Sequence, residues 1–240
     1  MAGKGIRLAD AGYEKPKPFV EVFDKTILEW SLETLPKNCN YIFCCKKEHI
    51  EKFPVKKIIE KIVPNFNIVS IDYETRGTVE TILEAKKFIN NSDELLISDA
   101  DHYLIWNYER FNEKIRRKNI DACIMVFPEP MSTKTASYVK LNEKGYVIES
   151  AEKDPISDIA SAGLHYFKKG SDFVKSAHDM IDKKIMIKNE FYVTPIYNFL
   201  VKENKKIITE PIKKMWPLGS KEEIDIFLKE YKISEFNQKS

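Results

Sequence analysis

The sequence predicts an α/β fold of three layers, with a mixed β-sheet between two layers of helices. Short apolar runs of strand type alternate along the chain with segments whose apolar residues recur at helical spacing. Several of these runs are almost continuously apolar, which is typical of parallel strands covered on both faces. The chain has 240 residues, 43% of them hydrophobic, and can therefore bury a large core. We expect a single domain over residues 1–240.

Helices and strands alternate regularly in the first half of the chain. In "TILEWSLETL", Ile27, Trp30 and Leu35 recur at near-helical spacing, and Pro36 ends the run. "NYIFCC" is an apolar run of strand type, and "PVKKIIEKIV" starts with a proline that suits a first helical turn. In chain order, the predicted elements are a helix at 26–35, a strand at 40–45, a helix at 54–63, a strand at 66–71, a helix at 78–89, a strand at 95–98, a helix at 108–118 and a strand at 122–127.

The pattern changes after residue 136. Two segments of alternating character, "SYVKL" and "YVIESAEK", flank a turn at 142–145, which predicts an antiparallel hairpin inserted into the α/β winding. Helices are then predicted at 171–184, 191–203 and 221–231. No repeat, low-complexity run or linker marks a domain boundary.

Charge and hydropathy narrow the range of partners. The 39 Lys plus Arg nearly cancel the 37 Asp plus Glu, so a net charge of +2 provides no global field for nucleic acid or an anionic membrane. The apolar runs are much shorter than the roughly 20 residues of a membrane helix, and no signal-like segment follows the amino terminus. We expect a cytoplasmic protein that binds neither nucleic acid nor membrane, and any anion site must be local.

The opening residues, "MAGKGIRLADAGYEKPKP", have the composition of a phosphate-binding loop. Gly3 and Gly5 would allow backbone N–H groups to approach an anion, and Arg7 could grip two of its oxygens. The stretch is neither a Walker loop nor a dinucleotide fingerprint, since Leu8 stands where the third glycine of the fingerprint should be. Lys17 lies between two prolines in the "PKPFVEV" that follows. A surface loop with scattered lysines would explain the charges but not this combination.

Two carboxylates follow the apolar strand at 95–98. Asp99 and Asp101 of "SDAD" would both face the same way if the extended conformation persisted beyond the strand. Carboxylates at the end of a strand are suitable Mg²⁺ ligands. The alternative is an acidic turn, because aspartates favour turns for local hydrogen bonds.

Taken in order, several stretches resemble the sugar nucleotidyltransferase family, whose members join a nucleoside triphosphate to a phosphorylated acceptor and release pyrophosphate. These stretches are "AGKGIRLADAGYEKPKPFVEVFDKTILEW", "RGTVETILEAKKFI", "LLISDADHY", "ESAEKD", "ASAGLHYF" and "NEFYVTPIYN". The resemblance spans nearly the whole chain. It implies a Rossmann-like version of the three-layer fold, with the antiparallel lobe serving the acceptor.

The resemblance also implies a role for individual residues. It assigns nucleotide binding to Ala2, Gly3, Gly5, Arg7, Gly77 and Thr78, acceptor binding to Glu152, Lys153, Gly163 and Glu190, Mg²⁺ binding to Asp101 and Asp99, and catalysis to Arg7, Lys17 and Lys153. In the implied reaction the acceptor phosphate attacks the α-phosphorus in line. No general base is required, because a phosphate dianion is already a nucleophile.

The sequence departs from the family pattern in two places. Pro217 of "MWPLGS" stands where many members have a second metal-binding aspartate, so Glu190, Asp99 or water would have to replace it. "IDYETRGT" lacks the glutamine common in thymidylyl and uridylyl enzymes, which leaves Tyr73, Glu74 or backbone groups to read the base. We expect CTP ahead of UTP or dTTP. The expected acceptor is a sugar 1-phosphate or a small compound such as phosphocholine or a phosphorylated amide, as in small cytidylyltransferases of capsule or cell-surface polymer synthesis.

The sequence is also compatible with two other functions, and it does not determine the oligomeric state. A metal-dependent glycosyltransferase could also use "DAD", but it would release a nucleoside diphosphate and would not need the glycine loop with "PKP". An inactive nucleotide-sensing relative is the second alternative, since Pro217 cannot bind a metal. The sequence leaves open whether the protein is a monomer or a homodimer.

The position of the glycine loop raises an expectation about the start of the chain. Related proteins run a buried strand into this loop, typically ending in P-M-A-G, and here Met1 is the methionine of that motif. We expect the natural product to carry roughly half a dozen to ten further residues upstream, enough for one strand of ordinary length.

Overall fold

The predicted alternation of strands and helices is present. The computed structural model describes the backbone of residues 6–131 and 133–238 and the side chains of residues 7–117, 119–131 and 133–231. The strands are β1 Glu21–Val22, β2 Lys25–Thr26, β3 Tyr41–Lys46, β4 Phe66–Ile71, β5 Leu95–Ser98, β6 His102–Ile105, β7 Ala122–Pro128, β8 Ser137–Leu141, β9 Val147–Glu152, β10 Ile159–Phe167, β11 Ile207–Pro211 and β12 Lys214–Pro217. The helices are α1 Ile6–Asp10, α2 Ile27–Glu33, α3 Lys47–Lys52, α4 Val55–Glu60, α5 Thr78–Leu83, α6 Lys86–Ile89, α7 Tyr108–Lys118, α8 Gly170–Asp182, α9 Tyr197–Lys202 and α10 Lys221–Gln238.

A mixed sheet forms the centre of the molecule. β11 is parallel to β7, and β7 is antiparallel to β10. The opposite edge of β10 pairs with β5 near its end and with β8 near its start. β8 and β9 form the predicted antiparallel hairpin, which joins the central sheet through the single pair Ala160 and Tyr138. The expected lobe is therefore an extension of this sheet.

Helices cover the central sheet on both faces, as the continuous apolar strands predict. Ile124 and Val126 of β7 pack in one buried cluster with α5, α8 and α9. Their neighbours Cys123 and Met125 point to the opposite face and pack with α2, α4 and α7. A third cluster around Trp30 joins α2 to β12 and α10. Burial on both faces gives the three-layer architecture expected from the sequence.

Three two-stranded pairs complete the described strands, and β1 and β2 form the first of them, which is antiparallel. β3 and β4 are parallel, and within the described residues they pair with no strand of the central sheet. β6 and β12 are antiparallel, with Trp216 opposite Tyr103 and Pro217 opposite His102. None of the described helices is both long and apolar enough to cross a membrane.

Some predicted boundaries are wrong for local reasons. The helix expected at 78–89 is divided into α5 and α6, with a break after Leu83. The helix expected at 191–203 begins only with α9, because Pro195 lies in a separate 3₁₀ turn, Thr194–Ile196. "MWPLGS", which showed no strand signal, begins with the last three residues of β12.

Candidate active site

A cleft of about 1390 Å³ runs between the central sheet and the β3–β4 pair. At one end it is lined by charged residues that follow β5 and by two cations from the first turns of the chain. We call this part the charged end. Its residues are Arg7, Lys17, Asp99, Asp101 and His102.

Lys17 and Asp101 meet at the charged end. Lys17 opens a 3₁₀ turn, Lys17–Phe19, whose Pro18 and Phe19 are buried and fix its position. Its ammonium group donates a hydrogen bond to Oδ2 of Asp101. Burial would raise the pKa of the Asp101 carboxyl, but His102, Lys17 and Arg7 outweigh it and hold that pKa below its usual value. Asp101 is therefore ionised and available as a ligand at neutral pH.

The two aspartates are separated by a turn. β5 ends at Ser98 and β6 begins at His102, so the extended conformation does not persist through "SDAD". The His102 ring lies between the carboxylates, with Nδ1 3.8 Å from Asp99 Oδ2 and Nε2 3.8 Å from Asp101 Oδ1. One ligand atom from each of the three residues lies within 4.8 Å of the others. The carboxylate pair fits a hard divalent cation such as Mg²⁺, which prefers oxygen ligands.

The C-terminal segment closes the charged end from above. Pairing of β12 with β6 places Leu218 so that its N–H donates to the Asp101 carbonyl oxygen over 2.7 Å. A Cβ atom at Gly219 would lie 2.6 Å from Arg7 Nη2, 2.8 Å from Lys17 Nζ and 3.1 Å from Asp101 Oδ2. Only glycine leaves room for these three side chains.

Pro217 cannot act as a ligand, but a carboxylate lies close to it in the C-terminal segment. Glu223, in the first turn of α10, accepts a hydrogen bond from the Gly219 N–H over 2.7 Å. Its other oxygen accepts from Nη1 of Arg7 at 3.5 Å. Glu223 therefore links the glycine segment to the arginine that was expected to bind phosphate.

Gly163, one of the predicted acceptor residues, lies against Asp99. Gly163 adopts φ +71°, and a Cβ atom there would lie 2.2 Å from Asp99 Oδ2. Its carbonyl oxygen accepts a hydrogen bond from the Asp99 N–H at 2.9 Å. Burial raises the pKa of Glu152, and the Asp99 and Glu190 carboxylates add to the rise. The carboxylates of Asp99, Glu152 and Glu190 thus share one electrostatic environment.

Lys153 is held by two neighbours on the acceptor side. It adopts φ +57°, which turns its side chain away from the path of β9. Its ammonium group donates to the Tyr192 hydroxyl and lies 3.9 Å from Glu152 Oε1. Ser137 donates to the other oxygen of Glu152. Lys153 is therefore a cation fixed beside Glu152.

The "RGT" and "NEFYV" segments are locked together. Gly77 adopts φ +115°, and a Cβ atom there would lie 2.5 Å from the backbone nitrogen of Phe191. Phe191 N–H donates to the Arg76 carbonyl oxygen at 2.7 Å, and its own carbonyl oxygen accepts from Val79 at 3.1 Å. Gly77 and Thr78 line the cleft at the start of α5.

Of the two side chains expected to read the base, one lies outside the cleft and the other lines it. Tyr73 is 47% exposed, and its hydroxyl donates to Glu84 over 2.7 Å, outside the lining of the cleft. Glu74 and Thr75 do line the cleft. Ala2, Gly3 and Gly5, which were expected to bind the triphosphate, lie outside the described residues.

Comparison with known proteins identifies the family. Residues 1–191 match the family model described as nucleotidyl transferase. The chain belongs to the nucleotidyl transferase family.

Individual nucleotidyl transferases agree in sequence and in fold. The chain is 28% identical over 180 residues to a glucose-1-phosphate adenylyltransferase of Fusobacterium nucleatum, covering 66% of this chain and 46% of that protein. It is 27% identical over 208 residues to the bifunctional protein GlmU of Methanocaldococcus jannaschii, covering 85% and 46%. The chain thus spans about half the length of these relatives. A nucleoside-diphosphate-sugar pyrophosphorylase structure from Vibrio cholerae RC9 superposes with a TM-score of 0.82 at 23% identity, covering 95% of this chain and 98% of that one, which shows a shared fold.

Some residues of this nucleotidyl transferase site were missed by sequence reasoning. His102 was given no role, although it adjoins Asp101. In the sequence, Gly219 was used only as the glycine that marks the expected aspartate position, which Pro217 occupies. Glu223 carried a signal that could have found it, since the Ser220 hydroxyl accepts from the Glu223 N–H at 3.3 Å, as the S-x-x-E pattern of a helix start predicts. Tyr192 carried none, because its contact with Lys153 depends on the fold.

Proposed function

We propose that the protein transfers a nucleotidyl group from a nucleoside triphosphate to a phosphorylated acceptor and releases pyrophosphate. The observation that carries this proposal is the arrangement of cations around Asp99 and Asp101. Lys17 donates to Asp101 and lies with Arg7 around Gly219, and Lys153 is fixed between Tyr192 and Glu152. Two anionic substrates could therefore be held with their reacting phosphates between the two groups of cations.

In the proposed reaction, an oxygen of the acceptor phosphate attacks the α-phosphorus of the triphosphate. The bond from the α-phosphorus to the bridging oxygen breaks, and pyrophosphate leaves in line. Arg7 stabilises the leaving group, while Lys17 and Lys153 hold the attacking phosphate. The attacking oxygen is already anionic, so no side chain has to remove a proton.

Asp101 and Asp99 would hold the divalent cation. The carboxylates fit this role because their ligand atoms and that of His102 lie within 4.8 Å of one another. Bound there, Mg²⁺ would supply neutralisation of the charge that develops on the triphosphate. The lowered pKa of Asp101 keeps this carboxylate ionised before the substrates bind.

We further propose that Glu74 favours a base with an exocyclic amino group. A carboxylate accepts a hydrogen bond from the N4 amino group of cytosine, whereas uracil and thymine present an acceptor oxygen at that position. Glu74 is the acidic residue of the base-reading loop that lines the cleft. This supports CTP ahead of UTP or dTTP. ATP also carries an amino group and belongs in the comparison, since one relative is by name an adenylyltransferase.

The proposed acceptor is a sugar 1-phosphate, with phosphocholine or a phosphorylated amide as smaller alternatives. Two similar proteins, a glucose-1-phosphate adenylyltransferase and a nucleoside-diphosphate-sugar pyrophosphorylase, support a sugar phosphate by their names. Lys153 would provide a cation for either class, and Gly163 leaves room for the Asp99 carboxylate beside it.

The test is a screen for pyrophosphate release. CTP, UTP, dTTP and ATP are each combined with a panel of sugar 1-phosphates, phosphocholine and phosphorylated amides, with Mg²⁺ or with EDTA. We expect Mg²⁺-dependent release of pyrophosphate with at least one pair, and loss of that release in Lys153→Ala. Release of a nucleoside diphosphate would instead indicate a glycosyltransferase. Triphosphate binding without turnover on any pair would indicate a nucleotide sensor.

A further inference from the structure

The loop that contains Glu74 is tied to helix α5. This base-reading loop is residues 72–77, between β4 and α5, and its Glu74 and Thr75 line the cleft. Three side chains of the loop hydrogen-bond to side chains of α5 or of the residue that directly follows it. The bonded pairs are Tyr73 with Glu84, Thr75 with Thr81 and Arg76 with Glu80. The loop is therefore held both before and after the residue that we propose to read the base.

The contact between Arg76 and Glu80 fixes the backbone of the loop as well as a side chain. Glu80 Oε2 accepts a hydrogen bond from the Arg76 backbone N–H. Glu80 Oε1 accepts from Nη2 of Arg76 over 2.8 Å and from Nε over 3.1 Å. These bonds from Arg76 hold the pKa of the Glu80 carboxyl below its usual value, although burial opposes them. One carboxylate thus orients both the main chain and the guanidinium group of Arg76.

Arg76 also contacts the acceptor segment, the name that we give to residues 190–192. Its Cζ lies 5.2 Å from the centroid of the Phe191 ring, within the range of a cation–π interaction. The Phe191 N–H donates to the Arg76 carbonyl oxygen over 2.7 Å. Phe191 is buried, and its neighbours in the chain are Glu190 and Tyr192, which binds Lys153. Arg76 therefore joins the base-reading loop to the segment that carries the acceptor residues.

The contact contributes more to position than to stability. The Arg76 side chain is 56% exposed, and ion pairs at such sites contribute little to the free energy of unfolding. A hydrogen bond between a base and Glu74, in contrast, requires its two heavy atoms to lie within about 3.2 Å of each other. A shift of the loop by about 1 Å would therefore break that hydrogen bond.

We propose that Arg76, oriented by Glu80, is a positioning residue that holds the base-reading loop and the acceptor segment in register. Without it, the base and the acceptor should both be recognised less well, although Arg76 itself need not touch either. The part of this proposal that concerns substrates rests on the proposed function. The physical link from Glu80 through Arg76 to Phe191 does not rest on it, and this link is tested separately.

Hydrogen exchange in the protein without substrates tests the physical link. The Phe191 N–H is protected by its bond to the Arg76 carbonyl oxygen. In Glu80→Ala, Arg76 loses its anchor, so this N–H should exchange more than about tenfold faster. Glu113→Ala is the matched control, because Glu113 also pairs with an arginine four positions away, Arg117, at 3.7 Å on α7. It should leave the exchange at Phe191 unchanged.

A role for Glu80 that was limited to capping α5 would give a different result. The Thr81 N–H, which bonds to the Gly77 carbonyl oxygen over 3.1 Å, would then exchange faster while Phe191 stayed protected. That outcome, or equal exchange at Phe191 in Glu80→Ala and in the wild type, would overturn the proposal.

Substrate binding tests what the link does. Isothermal titration calorimetry measures the affinity for CTP, UTP, dTTP and ATP with Mg²⁺, and separately for glucose 1-phosphate and phosphocholine. Arg76→Ala and Glu80→Ala should each weaken the preferred triphosphate about tenfold, reduce its preference over the other three, and weaken the acceptor by more than about threefold. Arg76→Lys keeps a cation beside Glu80 and should recover part of both losses. Glu113→Ala should bind all of them as the wild type does.

The binding data can contradict the proposal in two ways. Weaker binding of the triphosphate with unchanged binding of the acceptor would mean that Arg76 does not link the two sides. An unchanged preference among the triphosphates would mean that it does not position the loop for the base. If the wild type binds none of the six compounds, the proposed function fails, whereas exchange at Phe191 still decides whether Arg76 joins the loop to the acceptor segment.

Discussion

Replacing Gly219 by alanine should reduce activity strongly while leaving the fold nearly unchanged. The new Cβ atom would lie 2.6 Å from Arg7 Nη2 and 2.8 Å from Lys17 Nζ. Non-bonded carbon contacts are most favourable at about 3.5 Å or more, so the two cationic groups must withdraw by about 0.7–0.9 Å. The backbone at Gly219 lies outside the left-handed region, and alanine is therefore compatible with it.

The expected loss of activity is larger than the expected loss of stability because the atoms that move belong to the reaction centre and not to the core. A displacement of about 1 Å at a reaction centre costs roughly 100-fold in rate. Folding should lose less than about 1 kcal/mol, because Arg7 and Lys17 can yield at the ends of flexible side chains. We expect kcat/KM for pyrophosphate release to fall about 100-fold, with Tm lower by less than about 4 °C.

Gly145→Ala is the matched control, since the same change at this glycine should produce the opposite pattern. Gly145 lies in the turn of the β8–β9 hairpin with φ +78°, and a Cβ atom there would meet nothing within 4 Å. Alanine in the left-handed region costs about 1–2 kcal/mol, so Tm should fall while kcat/KM stays at the wild-type value. If Gly219→Ala keeps more than about a third of wild-type kcat/KM, the placement of Arg7 and Lys17 at the reaction centre is wrong.

Four further predictions concern the site and the core. Lys17→Ala should lower kcat about 100-fold without unfolding the protein, measured by pyrophosphate release and circular dichroism. Asp101→Asn should abolish Mg²⁺-dependent turnover, whereas Asp99→Asn should reduce it less. If a Mg²⁺ titration shows equal and small losses of turnover in both variants, "SDAD" is only a turn and does not bind the metal. Glu74→Gln should shift the ratio of CTP to UTP kcat/KM toward UTP, because an amide can donate to the uracil O4; an unchanged ratio would exclude Glu74 from base recognition. Burial lowers the pKa of His165 from 6.5 to about 3, so the unfolded chain binds a proton that the folded protein excludes. The contribution of His165 to the free energy of unfolding is then complete above pH 6.5 and falls by about 1.4 kcal/mol per pH unit below it. The urea midpoints at pH 7 and pH 5 should therefore differ less in His165→Gln than in the wild type. An equal pH dependence in both proteins would contradict a neutral, buried ring.

The layers of the fold were predictable because their signals are local. "ACIMVF" is apolar at every position, and the structure covers both faces of β7. β6 and β12 were not predicted, since each has only 4 residues and their pairing joins distant parts of the chain. The predicted start of α9 was wrong because of Pro195, a residue that is visible in the sequence.

The site was predictable where its residues belong to motifs. Lys17 and Asp101 were expected at one place, and their side chains do meet there. Gly219 and Glu223 depend on how the C-terminal segment folds back over Asp101, which no short window of sequence contains. The direction of Tyr73 was equally hidden, because it is set by the hydrogen bond of its hydroxyl to Glu84.

The bond between Arg7 and Glu223 spans 216 positions of the chain, and this separation affects how the protein is made. Translation adds about 5–20 residues per second, so Arg7 leaves the ribosome roughly 10–40 s before Glu223 can reach it. Throughout that interval the nascent chain has the cations for a triphosphate but not the Gly219 segment that closes over them. If Arg7 and Lys17 bind the triphosphate as proposed, competence to bind nucleotide arises only after residue 223 has been made, and a ribosome stalled before residue 219 should display a chain that cannot retain the triphosphate.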